Sequence, residues 1–389
     1  MKKLKLIKKI LVNLIKSISV KIRYPDLDFA KDKTASDSEN LQVTIDWLCL
    51  AQDKTGCDGV SAFYDLSSKK WGNAYRETTG YIIETFIENF HLTNEKKYLD
   101  RAIKMGEWEL RVQCEDGAFG EVKKDGSVGK KIFNTGQVII GLISLYKETK
   151  ERKYLDAAEK ASQWLIKNQE SDGGWKIFTT QGPRTYHSRV AWPLLQIFEI
   201  TKDQKYFESA QKNIYWVLKQ QQTNYWFDNT SLSEDNKPWT HLIAYTINGL
   251  IEYYLISNTK DKQIFNSFYN SANVLLEIFQ KNNYSFLPCS FDKNWESKDK
   301  YTCLTGDAQL AIIWMQIYEL TKERKFLDGA TKIIEMIKKT QIIDAKYNEI
   351  RGGIFGSFPI SGEYAPFMLI NWAAKFFADA LLLKNKIKI

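Results

Sequence analysis

The chain has three histidines in 389 residues, and two of them, His187 and His241, fall just before or at the start of long apolar segments. An imidazole in such a place works as acid or base near neutral pH, and a helix N-terminus lowers its pKa toward the neutral, proton-accepting form. The plain alternative is a hydrogen-bonded loop or cap residue. His91 falls at the far end of its segment and reads as structural. Tyr186, Arg189 and Tyr245 lie near the first two histidines, Arg76 and Glu77 precede another apolar segment, and Asp307 opens a third. With His241 as base, Tyr245 or His187 as the opposing acid and Arg189 neutralising a carboxylate, the set suits proton transfer at an acidic sugar, as in a lyase or C5-epimerase. Asp307 and Glu77 would be the carboxylate pair of glycoside hydrolysis; helix capping and dipole compensation are their ordinary roles.

Binding groups follow from the same positions. Arg76 and Arg351 could hold a substrate carboxylate through paired hydrogen bonds or close loops as ion pairs. Trp71, Trp175, Trp226 and Trp239, with Phe119 and Trp295, fall in loops, where flat apolar faces beside polar groups suit sugar rings; the alternative is packing of the loops themselves. Tyr186, Tyr364 and Asn371 complete the expected binding set. No HExxH, GxGxxG, GxxxxGK[ST] or GxSxG pattern is present, and five scattered cysteines without a CxxC pair give no metal site, so neither metal nor cofactor is expected.

Two kinds of segment must position these residues. KYLDRAIKMGEWEL from Lys97 and KYLDAAEKASQWLI from Lys153 repeat one plan, with weaker copies from Asn40, Lys205, Gln263 and Lys325. Each has apolar residues at one-sided helical spacing and predicts an outer helix with one wet face. Between them lie segments 79–92, 135–149, 189–201, 241–256, 305–321 and 366–383, apolar nearly all round. Gly80, Gly136, Gly141, Gly249 and Ala311 allow close approach there, which predicts buried inner helices. Six of each, alternating, predict an all-α (α/α)6 toroid over residues 38–389. Inner-to-outer links are tight TKDxKY or TKERKF turns, whereas the outer-to-inner connectors are long and rich in aromatic, acidic and Gly residues, so they should rim one cleft over the N-termini of the inner helices.

The charge lies elsewhere. Residues 1–23 hold eight Lys/Arg and no acid, which accounts for the net +8, so the body is neutral and nucleic acid is not an expected partner. Leu4, Ile7, Leu11, Leu14, Ile15 and Ile18 recur at helical spacing among the lysines, predicting a basic amphipathic helix followed by a linker to residue 37. Lys8, Lys9, Asn13 and Lys16 interrupt the apolar run, which speaks against a signal peptide. Docking on an anionic membrane surface and a solvated extension are both consistent with it. With no membrane-length apolar run and no disulfide pattern, a cytoplasmic protein, peripheral at the inner membrane surface through residues 1–23, is the expected location.

The hairpin at 149–175, of the form TKExKYLDAAxKxxxWLxxxQxxDGGW, resembles those of unsaturated glucuronyl hydrolases, N-acylglucosamine 2-epimerases, polysaccharide lyases and glucuronyl C5-epimerases. The segments WTHLIAYTINGLIE, CLTGDAQLAIIW and RGGIFGSFPISGEYAPFMLINWAAKFFADALL are most similar to VpsJ-type polysaccharide biosynthesis proteins. The resemblance spans residues 40–385 and implies an oligosaccharide or glycolipid-linked sugar as substrate; it carries over no catalytic residue. A second resemblance, of Gln169, Gly173 and Trp175 to the QxxxGxW repeat of terpenoid cyclases, implies another toroid, although no DxDD or DDxxD motif accompanies it. A non-catalytic glycan-binding scaffold of a polysaccharide assembly complex is the reading from another class.

Overall fold

One-sided helical spacing in the repeated segments is met by one-sided burial. In the computed structural model, which describes residues 2–25, 34–123, 125–232, 237–343 and 346–387, Tyr98, Ala102, Met105 and Trp108 are the buried face of α4 (Lys96–Val112). Tyr154, Leu155, Ala158 and Leu165 do the same in α6 (Arg152–Lys167). The other outer helices are α2 (Asp37–Asp53), α8 (Gln204–Leu218), α10 (Lys262–Lys281) and α12 (Arg324–Thr340). The inner helices are α3 (Arg76–Thr93), α5 (Ile132–Thr149), α7 (Ser188–Thr201), α9 (Thr240–Ile256), α11 (Leu304–Thr321) and α13 (Asn371–Lys386). Each inner helix packs on the next, and α13 packs back on α3, so the fold is an (α/α)6 toroid. Glycine sets the spacing of the inner ring. A Cβ on Gly141 would lie 2.0 Å from the Gly80 carbonyl oxygen, and one on Gly249 would lie 2.4 Å from the Ser188 carbonyl carbon.

The tight turns at one end share one device. In four of them a threonine ends the inner helix (Thr93, Thr149, Thr201, Thr321), bonding back to a carbonyl four residues earlier and accepting an N–H two residues ahead. The next residue, Asn94, Lys150, Lys202 or Lys322, takes left-handed φ of 58–62° and closes the last turn.

At the other end a glutamine roots each of several long connectors. Gln113 Nε2 donates to the carbonyls of Gly117 and Ala157, Gln169 to those of Gly173 and Ser209, and Gln341 to the Gly352 carbonyl and the Thr44 hydroxyl. The glycine of each trio has positive φ and abuts the next outer helix; a Cβ on Gly173 would meet the Lys212 carbonyl oxygen at 2.2 Å. The QxxxGxW pattern is therefore a clasp between neighbouring hairpins, and Trp175 closes it from inside, donating its indole N–H to the Leu165 carbonyl.

Short strands stiffen the connectors: β1 (Phe63–Asp65) with β2 (Lys70–Trp71), β3 (Gly120–Val122) with β4 (Val128–Lys130), and β5 (Thr302–Cys303) with β6 (Ser357–Phe358). The last inner helix begins later than its apolar run, at Asn371 in place of Pro366. Ala365 and Phe367 have positive φ, and Met368–Ile370 is a strand, β7, paired antiparallel with β1. Helix α1 (Lys2–Arg23) lies against the first and last connectors. The side chains of Leu4, Ile7 and the lysines before residue 11, and linker residues 26–33, lie outside the described residues. Among the described residues no helix is long and apolar enough to cross a membrane.

Candidate active site

A cavity of about 380 Å³ opens over the N-termini of the inner helices, lined from five of the six long connectors. Glu77, in the first turn of α3, stands on one side. Tyr186 and His187, in a short 3-10 turn before α7, and His241 and Tyr245, on the first turns of α9, stand on the other. Trp239 and Tyr364 meet edge to face at 4.9 Å on the rim, and Trp372 donates its indole N–H to the Tyr364 hydroxyl at 2.8 Å. In the order of the inner ring, α3 and α9 are three helices apart, so Glu77 and the His241–Tyr245 pair face each other across the bore.

Four lining residues give the site an electrostatic character that was not foreseen: Tyr75, Glu121, Lys131 and Asn134. Tyr75 Oη contacts Glu77 Oε2 at 3.0 Å and Glu121 Oε1 at 3.3 Å. One phenol has one proton to donate, so both contacts are hydrogen bonds when Glu77 is itself protonated and donates to the phenol oxygen. Burial raises the Glu77 carboxyl to about 7; the Tyr75 hydrogen bond opposes this and the Glu121 charge adds to it. Glu77 is thus the group that gains and loses a proton near neutrality. Glu121 sits on β3, where the D-G turn between alternating residues (FGEVKKDGSVGK) is a hairpin signal that could have flagged it.

Both imidazoles are held neutral, and as opposite tautomers. The Arg184 backbone N–H points at His187 Nδ1 at 3.4 Å, which leaves the proton of that ring on Nε2. His241 Nδ1 lies 3.3 Å from Gln309 Oε1, an acceptor, so its proton is on Nδ1 and Nε2 carries the lone pair. Burial drives His187 down to about 3, with the Arg184 charge adding to it. Burial also takes His241 to about 4, aided by the Arg189 charge and opposed by Gln309. Burial and the Glu77 charge raise Tyr245, its ring centroid 4.5 Å from that of His241, which keeps its phenol protonated.

The remaining expected residues lie elsewhere, each for a visible reason. Arg189 points down the bore: Nε donates to Gln137 Oε1 at 2.9 Å, Nη1 bonds Asn248, and the guanidinium carbon lies 5.3 Å from the Tyr245 ring centroid. With Tyr245 and Phe376 it forms a partition between the mouth and a second cavity of about 280 Å³ toward the far end. Asp307 is fully buried on Thr302 and lines neither cavity. Arg76 donates to the Gly120 carbonyl, fastening β3, and Arg351 to the Ile343 carbonyl. Asn371 joins the Ser61 carbonyl to the Thr78 hydroxyl. Trp175 and Trp226 are buried, and Trp71 packs on Trp47 and Tyr64, so of the four expected tryptophans Trp239 faces the cavity.

The profile of the beta-L-arabinofuranosidase GH127 catalytic domain matches residues 111–284, less than half of the chain. No curated protein matches in sequence. Among solved structures, an unsaturated glucuronyl hydrolase specific for heparin is similar with TM-score 0.72 at 13% identity, over 90% of this chain and 98% of that one. An unsaturated glucuronyl hydrolase from a Bacillus species, responsible for degradation of glycosaminoglycan, is similar with TM-score 0.68 at 14% identity, over 89% and 96%. Cellobiose 2-epimerase from Bacillus thermoamylovorans is similar with TM-score 0.70 at 13% identity, over 90% and 98%. At these identities the likeness is one of fold: the chain carries the (α/α)6 toroid found in carbohydrate-active enzymes.

Proposed function

We propose that the protein is a glycan-active enzyme that moves protons on a sugar bound in the mouth, as a lyase or epimerase acting on an oligosaccharide or glycolipid-linked sugar. The observation that carries this is the opposition of Glu77 on α3 to Tyr245 on α9, with their titrations pushed far apart. A carboxyl near 7 is ionised enough at neutral pH to take a proton from a carbon beside a carbonyl or carboxyl group, and a phenol that stays protonated can deliver one from the opposite side. His187 and His241, neutral throughout the working range, hold sugar hydroxyls as donor and acceptor, and the rim aromatics take the ring faces. Lys131 is the cation of the cavity wall and holds the substrate carboxylate, the part that the sequence gives to Arg189.

In elimination the C–H pair becomes the new double bond, the leaving oxygen takes the Tyr245 proton, and solvent restores it. In epimerisation Glu77 keeps the abstracted proton while the carbanion takes the Tyr245 proton on the other face, and exchange with solvent then returns Glu77 to the carboxylate and Tyr245 to the phenol. Hydrolysis is the second reading, favoured by the Glu77–Tyr75–Glu121 chain: a protonated Glu77 would serve the leaving oxygen and Glu121 would act on water or the anomeric carbon. Here Glu121 takes the role first assigned to Asp307.

Incubation with uronate-containing oligosaccharides, in parallel in deuterium oxide and in water labelled with heavy oxygen, separates these. Deuterium at a ring carbon or an unsaturated product, lost in Glu77→Gln and lowered in Tyr245→Phe, is expected. Labelled oxygen from water in the product, lost in Glu121→Gln, would select hydrolysis. Oligosaccharide recovered intact after long incubation would leave a binding scaffold.

A further inference from the structure

We infer that α1 is a docking element for an anionic lipid bilayer. The helix has two opposed faces with different fates. Toward the body, Val20 and Tyr24 are each 2% exposed, the Tyr24 hydroxyl meets that of Tyr64 at 3.0 Å, and Ser19 donates to the Ser67 carbonyl. Lys16 reaches Asp65 at 3.7 Å, and Tyr24 packs edge to face on Tyr347 at 4.9 Å. Away from the body, Leu11, Leu14, Ile15, Ile18 and Ile22, spaced three and four residues apart, are 50–74% exposed. The other exposed aliphatic side chains of the body, Leu92, Val122, Ile177, Leu255 and Leu320, lie singly, whereas these five form one continuous stripe on one helix face, the pattern of a surface that takes a partner.

Charge selects the partner. Lys21 and Arg23 flank the stripe on either side and are exposed, and the first 23 residues hold eight basic residues and no acid. A second copy of the chain would bring this cationic helix against itself. A surface of anionic headgroups over hydrocarbon satisfies both the stripe and its flanks, with the apolar residues at the level of the acyl boundary. Tyr64, Asp65, Ser67 and Tyr347 all belong to connectors of the end that bears the mouth, so docking through α1 would bring that end to the lipid surface. The inference stands on α1 alone and does not depend on the sugar chemistry.

The test uses the full chain with vesicles of phosphatidylcholine alone or mixed with phosphatidylglycerol. Co-flotation with the mixed vesicles that weakens with salt is expected. A Leu14→Ser/Ile18→Ser variant should lose roughly tenfold in partitioning, with its circular dichroism unchanged because neither side chain packs on the body. Lys21→Glu should weaken binding while leaving the stripe intact. Equal partitioning of variant and parent, equal binding to neutral vesicles, or a concentration-dependent dimer that the double variant abolishes without any vesicle binding would each overturn the inference.

Discussion

Two buried carboxyls show how environment decides between chemistry and structure. Glu77 and Asp307 both open inner helices and both are raised by burial. Glu77 borders a cavity and shares a phenol with a second carboxylate, whereas Asp307 is fully buried against Thr302 and borders neither cavity. For Glu77 as base, the rate should climb as pH rises through about 7. No limb should come from the imidazoles, held at about 3 and 4. Glu77→Gln should lower kcat by roughly 10²–10⁴-fold, as steady-state pH profiles would show. The linkage has the opposite sign for stability: a carboxyl raised on folding favours the native state at pH below its ordinary value, and that contribution fades as pH rises through about 7. Asp307, also raised by burial, has the same sign. Asp307→Asn should therefore leave activity unchanged and equal or exceed the parent in melting temperature at pH 9, because the amide never has to ionise in the interior. Lost turnover in Asp307→Asn would return this residue to the reaction.

Helices and connectors differ in how openly the sequence displays them. Six one-sided and six all-round apolar segments are legible from periodicity alone, because burial of a helix face leaves a three-and-four spacing. The connectors are not, since a tryptophan at a connector's root and one at its tip stand in the same kind of sequence. Trp175 is consumed by the Gln169 clasp and Trp226 packs against Trp295, while Trp239 faces the cavity. Arg189 differs from its expected place because it lies within α7, past the 3-10 turn that holds His187, and its guanidinium is engaged deeper in the bore by Gln137 and Asn248. Because the Gln169 side chain is engaged by the Gly173 and Ser209 carbonyls and the Ser209 hydroxyl, Gln169→Ala should cost about 1–3 kcal/mol of stability. Chemical denaturation should register that loss while KM and kcat stay at their parent values. A change in kcat larger than the change in folded fraction would mean that the clasp also shapes the mouth.

A closed ring gives every hairpin two neighbours, and the last contact is the one that distinguishes it from an open stack. Asn371 supplies much of that contact: its fully buried amide reaches back to the Ser61 carbonyl at 2.9 Å and the Thr78 hydroxyl at 2.8 Å. Further along α13, Asp379 accepts from Thr85, and Lys384 pairs with Asp37 of α2 at 2.7 Å. In an open array each repeat rests on its neighbours in turn and the ends fray first; here no hairpin is an end. We expect residues 38–389 to unfold as one cooperative unit for this reason. Asn371→Ala strands a buried carbonyl and removes two hydrogen bonds, which should cost on the order of 2–4 kcal/mol. If the ring is one unit, far-ultraviolet circular dichroism and tryptophan fluorescence will shift together to a lower midpoint in the variant. If the closing hairpin is a separate latch, its release will appear as an early phase in fluorescence, where Trp372 and Trp47 report, before the helical signal falls.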